Sequence, residues 1–348
     1  MEEYRIADRE PLMLHIDYSV FLRDDGLVVV DRRLLPGEVV EVVCTDSEAV
    51  ARCIKDMVVQ GAGDIAITAG YGLYLAARSI EAGGAAGELP VSHLYRTKEM
   101  LVGTRPTGFH LAALLDRIIQ GIDWEAGDWS GQILKQVRRA VEKQRARSER
   151  TGFWAETLLV DGDVILTHCF PGPALLYMLK FARDKGKKIR VYSTETRPYL
   201  QGARLTAWSV SQLGIGTTLI TDNMAAYCMQ QGLVKKVFTA ADRIAMDGTV
   251  ANKVGTFQLA LAASYHHLPF YILGYGGPDT RTRRGEEIRV EVRDPEEVLR
   301  FQGVRITGEE VAGFYPAFDL TPPQLVTAVI TDRGIIPPGD MGSYWDKE

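Results

Sequence analysis

Four cysteines are few for a chain of 348 residues, and none of Cys44, Cys53, Cys169 and Cys228 stands in a Cys-x-x-Cys pair. A chain this long can bury its own core, so disulfide staples are not expected and the four read as reduced thiols. The six histidines (His15, His93, His110, His168, His266 and His267) show no His-x-x-x-His spacing and no Cys/His cluster. A metal site therefore has little support. No run of about 18 apolar residues exists, so no membrane span is expected. The opening MEEYRIADRE lacks the apolar core of a signal peptide, and the cytoplasm is the expected location. A basic excess is missing too. Lys and Arg number 40 against 45 Asp and Glu, a net charge of −5, which gives no bias towards nucleic acid. No internal repeat or low-complexity tract is evident.

What is present is ordinary for a soluble globular protein: 46% hydrophobic and 24% charged residues. The length is comfortable for two domains. In the first half, LVVVDRRLLPGEVVEVVC reads as two short strands around a Pro-Gly turn. From Asp46 the pattern turns helical, with Val50, Ile54, Met57 and Val58 on one face. QGAGDIAITAG resembles a dinucleotide G-x-G-x-x-G only superficially. Gly61 follows a helical pattern rather than a strand, and Ala66 takes the third glycine's place. It is read as a turn between helices that can present backbone N–H groups to an anion, with a helix rich in small residues continuing to Ile80. Further helices are expected at 107–120 and 129–148, and EAGGAAGELP reads as a loop. The charged RRAVEKQRARSERTGFW is a helix leading into the second half.

The second half alternates. DVILTHC, KIRVYSTE, TTLITD, KKVFTAAD and PFYILGY are strand candidates, with helical stretches at about 173–184, 200–213, 223–231 and 255–266 between them. This is the pattern of βαβ units and a parallel sheet with right-handed crossovers. Ligands bind such sheets beyond the carboxyl ends of the strands, where Cys169, Glu195, Asp222 and Asp242 fall. Cys169 stands just before a helix whose positive end can face the sulfur; the alternative is an inert buried thiol. Asp242 is an acid, base or ligand, or else a cap or a partner of Arg243. Asn252 and Lys253 precede a helix and make a good anion site, though Asn252 can simply cap it. Arg197, Gln201 and Arg204 lie in one turn and helix, and Arg105 in another; the plain reading of each arginine is a solvated charge.

The segments RPTGFHL, LTHC, ETRPYLQGARLTAW, TDNMAAY, ADRIAMDGTVANKVGT and YPAFDLTPPQLVTAVITDRGI occur in this order along nearly the whole chain. Together they resemble the methylthioribose-1-phosphate isomerases, relatives of the regulatory subunits of the exchange factor for the translation initiator carrying methionyl-tRNA. The resemblance implies a mixed, largely helical N-terminal domain (1–145) and a Rossmann-like α/β domain (146–348) that binds no dinucleotide. It implies a homodimer and aldose-to-ketose isomerisation of a phosphorylated sugar in methionine salvage, without metal or cofactor. The family's catalytic residues match Cys169 and Asp242. Its substrate- and phosphate-binding positions match Gly61, Ala62, Arg105, Gln201, Asn252 and Lys253. Retention of Cys169 and Asp242 argues against a non-catalytic, nucleotide-sensing relative.

Departures cluster on loops. Gln60 replaces an arginine of the family's phosphate site, removing a charge and a bidentate donor. FPGP follows the thiol in place of an Asn-Ala-Gly-Ala-like run, Tyr315 replaces an asparagine, and ILGYGGPDTR replaces a segment rich in Thr, Ser and Pro. These leave 5-methylthioribose 1-phosphate as the default substrate, with 5-deoxyribose 1-phosphate and ribose 1,5-bisphosphate as alternatives. Bulk from Phe170 and Tyr315 would favour a small C5 substituent. The implied chemistry explains the pair of catalytic residues. With O1 esterified, the sugar ring must open at C1–O4, which asks for an acid at O4, a protonated Asp242. Hydrogen must then pass from C2 to C1, with Cys169 as thiolate base or as stabiliser of cationic character.

Overall fold

The computed structural model describes residues 10–84, 89–105 and 109–346. Contacts divide the chain into His15–Ala146 and a second unit of Arg147–Glu348, which residues 10–14 join. Sequence alone assigns those five residues to the N-terminal domain.

In the N-terminal unit, β1 (Val20–Arg23), β2 (Gly26–Val30) and β3 (Glu41–Cys44) form an antiparallel meander. The two expected strands are β2 and β3, and Leu27 pairs with Cys44. Helix α1 (Ser47–Lys55) starts where Asp46 accepts the Ala49 amide at 2.7 Å, a side-chain N-cap. Helix α2 (Ala62–Glu81) begins inside the glycine-rich run, so the turn before it is shorter than the sequence suggests. The small residues of α2 let neighbours approach closely. A Cβ on Gly70 would stand 2.9 Å from Val137, and one on Gly72 3.1 Å from Val50. Around α2 pack α1, α3 (Pro90–Gly103) and α4 (Phe109–Gln120), with α5 (Trp129–Glu156) reaching Gly70 through Val137. The expected loop at 81–90 and the start of the helix at 107 lie partly outside the described residues.

A buried ion pair pins the start of α2. Arg32, wholly buried, meets Asp64 at 2.7 Å and also donates to Ser19 Oγ and to the Gln60 carbonyl. Gln144 Nε2 donates to the other Asp64 oxygen at 2.5 Å.

The second unit runs β4 (Val164–Thr167), α6 (Pro173–Asp184), β5 (Arg190–Thr194), a π-helix (Gly202–Ala207) continuing as α7 (Trp208–Gln212), β6 (Gly216–Ile220), α8 (Ala225–Gln230) and β7 (Lys236–Ala240). Then come β8 (Arg243–Ile244), β9 (Val250–Lys253), α9 (Thr256–Tyr265), β10 (Phe270–Tyr275), α10 (Glu296–Leu299), β11 (Arg300–Phe301), β12 (Val304–Arg305), β13 (Phe318–Thr321), β14 (Ala328–Thr331) and β15 (Gly334–Ile336). The main sheet has the order β15-β14-β10-β7-β4-β5-β6. All five strands read from the sequence lie in it and run parallel; β14 is a sixth parallel strand and β15 an antiparallel edge. The fold class is the expected one, a mostly helical unit with a few strands followed by a Rossmann-like α/β unit. The chain builds outward from β4 to β6 on one side, then returns to β7 and builds outward on the other. The order reverses between β4 and β7, the place where doubly wound sheets bind ligands.

A small antiparallel sheet, β13-β9-β8, stands beside the main one. It sets the start of α9, because Asp319 on β13 lies opposite Asn252 on β9. The Asp319 carboxylate accepts the Gly255 amide at 2.7 Å and the Phe257 amide at 3.1 Å, capping the helix from another strand. Burial nonetheless outweighs these bonds and the nearby Lys253, and pushes Asp319 up to about 6.

Two stability outcomes are expected from these buried carboxylates. Asp64→Ala leaves the Arg32 charge buried without its partner and should cost about 3–5 kcal/mol in urea unfolding, whereas the double change Arg32→Met/Asp64→Leu should cost clearly less. Equal losses would mean that the pair is not what holds this turn. Asp319 binds its proton more tightly folded than unfolded, so its stabilising contribution is full below the ordinary value of 3.8 and is lost as pH rises through about 6. Relative to Asp319→Asn, the native chain should lose about 2 kcal/mol of unfolding free energy between about pH 4.5 and 7. A difference that stays flat with pH would show that Asp319 does not titrate in this range.

Candidate active site

Strand β4 delivers His168 and Cys169 to the crevice between β4 and β7. His168 is buried and bonded at both nitrogens: Nδ1 lies 2.6 Å from Thr194 Oγ1, and Nε2 lies 3.0 Å from the Val254 carbonyl. A carbonyl only accepts, so Nε2 carries the hydrogen and donates to it, and in the neutral ring Nδ1 accepts the Thr194 hydroxyl. Burial holds the ring's pKa down. Gly255 lies directly over this ring, where a Cβ would come within 3.0 Å of two ring atoms.

Cys169 is half-buried and takes φ 59°, left-handed backbone that costs a non-glycine residue about 1–2 kcal/mol. Both of its peptide groups are held. Its amide donates to Thr196 Oγ1 at 2.9 Å, and its carbonyl accepts from Thr206 Oγ1 at 2.5 Å. Thr206 belongs to the π-helix, an element common at functional sites. Burial pushes the thiol up, while Lys253 and the Phe170 amide pull it back; Asp222 and Asp242 add to the upward push.

Asp242 lies two residues past β7, half-buried, with its amide donating to the Ala251 carbonyl at 2.9 Å. Asp222 has a structural task, accepting the Thr196 and Arg197 amides at 2.7 and 2.8 Å and so fixing the turn after β5. Glu195, beside it, is pushed up by burial and by Asp222. Gln201 is buried, and its amide oxygen has no partner. The π-helix beyond it starts tight against β5, since any side chain on Gly202 would run into the Thr194 carbonyl.

Asn252 and Lys253 are both buried. Asn252 Nδ2 donates to Thr256 Oγ1 at 2.9 Å. Lys253 Nζ donates to the Tyr315 hydroxyl at 2.8 Å and lies over the rings of Tyr315 and Phe318. One part of the expected anion site does not survive. The Gly255 and Phe257 amides at the start of α9 already serve Asp319, so the helix end offers these amides to no other anion. Asp319 itself escapes sequence reading, because its helix lies over 60 residues upstream.

The structure therefore gathers Cys169, Asp242, Gln201, Asn252 and Lys253 in the Rossmann-like unit. Gly61, Ala62 and Arg105 belong to the N-terminal unit. There Gly61, at φ 95°, precedes the first residue of α2, Ala62. Arg105 Nη1 donates to Met57 Sδ at 2.9 Å, and Gln60 folds back to donate to the Met57 carbonyl at 3.1 Å. His168, Thr196 and Thr206 position the thiol, and only the LTHC and ETRPYLQGARLTAW segments hint at them.

The sequence profile of the initiation factor 2 subunit family matches residues 58–338. A methylthioribose-1-phosphate isomerase of Fervidobacterium nodosum is 41% identical over 329 residues, covering 90% of this chain and 93% of its own. The crystal structure of 5-methylthioribose 1-phosphate isomerase from Pyrococcus horikoshii OT3 is 31% identical, with a TM-score of 0.83 over 99% of this chain and 98% of its own. That of the translation initiation factor eIF-2B delta subunit from A. fulgidus is 34% identical, with a TM-score of 0.76 over 92% of this chain and 96% of its own. The chain belongs to the initiation factor 2 subunit family, and within it to the methylthioribose-1-phosphate isomerases.

Proposed function

We propose that this chain isomerises 5-methylthioribose 1-phosphate to 5-methylthioribulose 1-phosphate, a step of methionine salvage, with Cys169 and Asp242 as catalytic residues. The observation that supports it best is the placement of these two residues at the ends of adjacent strands β4 and β7, where the strand order reverses. In this reading Asp242 gives its proton to O4 as the C1–O4 bond breaks. The cation left at C1 acidifies C2. The Cys169 thiolate then takes the C2 proton to leave a C1=C2 enol. Return of that proton to C1 and passage of the O2 proton to Asp242 yield the ketone at C2, the CH2 at C1 and a restored enzyme. A direct hydride shift from C2 to C1 uses the same residues, with the thiolate stabilising the cation; solvent deuterium found at C1 would exclude it in favour of the proton route.

Gln201, Asn252 and Lys253, with Gly61, Ala62 and Arg105, are the proposed sugar-phosphate ligands, Lys253 as the charge that meets the phosphate. Tyr315 is bonded to Lys253, which puts it at the phosphate end of the sugar in this reading. It then does not narrow the C5 end, and the methylthio substituent remains the favoured one over 5-deoxyribose.

No helix among the described residues is long and apolar enough to cross a membrane. We place the protein in the cytoplasm, apart from nucleic acid, as a homodimer. Support for the dimer is an exposed stripe on α9, Phe257, Leu261 and Tyr265, at i, i+4 and i+8, with Met224 and Tyr227 exposed at the neighbouring α8.

Cys169→Ser and Asp242→Asn should each lower kcat at least about a hundredfold with the fold kept. Ketose formation from 5-methylthioribose 1-phosphate and from 5-deoxyribose 1-phosphate is the measurement. A folded wild type inert on both would favour a non-catalytic role like that of the initiation-factor relatives. Leu261→Glu should turn a dimer into a monomer by light scattering; an unchanged mass would remove α9 from the interface.

A further inference from the structure

Two departures from the family pattern, the FPGP run after the thiol and the segment from Ile272 onward, meet in space. Tyr275 ends β10, where the register with β14 shifts between Leu273 and Tyr275, and it takes a left-handed φ of 45°. Its hydroxyl donates to the Pro171 carbonyl and accepts the Ala174 amide at 3.3 Å. One phenol thus closes the turn between Cys169 and α6 from both sides. Gly172, at φ 81°, is the residue this arrangement needs, since a Cβ there would overlap the Tyr275 hydroxyl.

The turn so closed carries the Phe170 amide, which faces the Cys169 sulfur and favours its thiolate. Thr196 and Thr206 hold the two peptide groups of Cys169, the second of which also carries the Phe170 amide, but neither bonds to Pro171 or to the start of α6, so that peptide is held on its far side by Tyr275 alone among these three. We propose that Tyr275 is a positioning residue for Cys169, its hydroxyl fixing the turn at 170–174 and through it the Phe170 amide beside the sulfur. The proposal rests on Cys169 being the catalytic thiol, and it assigns Tyr275 no contact with the sugar.

Tyr275→Phe removes one oxygen and leaves in place the charged groups that act on the sulfur, Lys253, Asp222 and Asp242, and the neutral His168. It should lower kcat about three- to tenfold, the scale of a lost hydrogen bond, with KM within about twofold. The independent readout is alkylation of Cys169 by iodoacetamide, followed by peptide mass spectrometry across pH. The midpoint of that profile should move to higher pH in Tyr275→Phe, and also in Gly172→Ala, which disturbs the same contact from the turn's side and serves if the first variant does not fold. If the chain is not an isomerase, turnover is missing in wild type too, yet the alkylation shift still reports on Tyr275. An alkylation profile unchanged in the folded variants overturns the proposal, as does a rise in KM without loss of kcat, which would make Tyr275 a sugar contact.

Discussion

The site hangs on one buried, neutral imidazole. His168 links the end of β5, through Thr194, to the turn between β9 and α9, through Val254. In the neutral ring Nε2 donates to Val254 and Nδ1 accepts from Thr194, and the low-dielectric setting keeps the ring neutral. A second proton would place a charge among buried groups beside Lys253 and turn Nδ1 from acceptor to donor towards Thr194. The Val254 anchor also orders the start of α9. It brings Gly255 over the ring, aligns the Gly255 and Phe257 amides with Asp319, and leaves Lys253 on the strand side of the same turn. Thiol, lysine and helix cap are thus consequences of one side chain's tautomer.

Around that anchor the backbone is strained. Cys169, Thr196, Leu200 and Tyr275 all have positive φ, and all lie just beyond or at the ends of β4, β5 and β10. Each costs of order 1 kcal/mol or more, tolerable because the strands below, β4 wholly buried and β5 and β10 largely so, hold the loops from beneath. The π-helix adds a further departure from ordinary geometry at the same end of the sheet. Strain gathered where the sheet presents its strand ends is what a site of fixed geometry requires, with the rigid sheet supplying the stability that the loops give up.

The main architecture is legible in the sequence because it rests on local signals. Five strand candidates with four helical stretches between them announce the parallel sheet, and Asp46 announces the start of α1. The features that escape are non-local. Strands β8 and β9 are short, and β9 finds its partner β13 some 65 residues later, so no periodicity marks either. Helix α3 comes after a glycine-rich stretch and carries a weak apolar face, with Leu94, Thr97 and Leu101 alone buried. The sheet's last two strands, β14 and β15, form a tight hairpin in a segment that the sequence marks only by its family motif. The residues proposed for chemistry are readable one by one, whereas their supports, His168, Thr206 and Asp319, take their meaning from partners far along the chain.

The same distinction bears on the substitutions that set this chain apart from its family's pattern. Read singly, each suggests a changed pocket. Read with their contacts, they are local solutions. Gln60, in an arginine's place, spends its amide on the Met57 carbonyl of its own turn and brings no charge. Tyr315 offers its hydroxyl oxygen to Lys253 while burial keeps the phenol protonated, so the lysine gains a fixed direction. A flexible ammonium held in this way loses less freedom when it meets a phosphate. Prolines at 171 and 173 leave the turn after the thiol poor in backbone donors, and Tyr275 makes good that deficit from a neighbouring strand. The substitutions therefore act on how firmly the polar groups are held, and a change in the sugar accepted does not follow from their size.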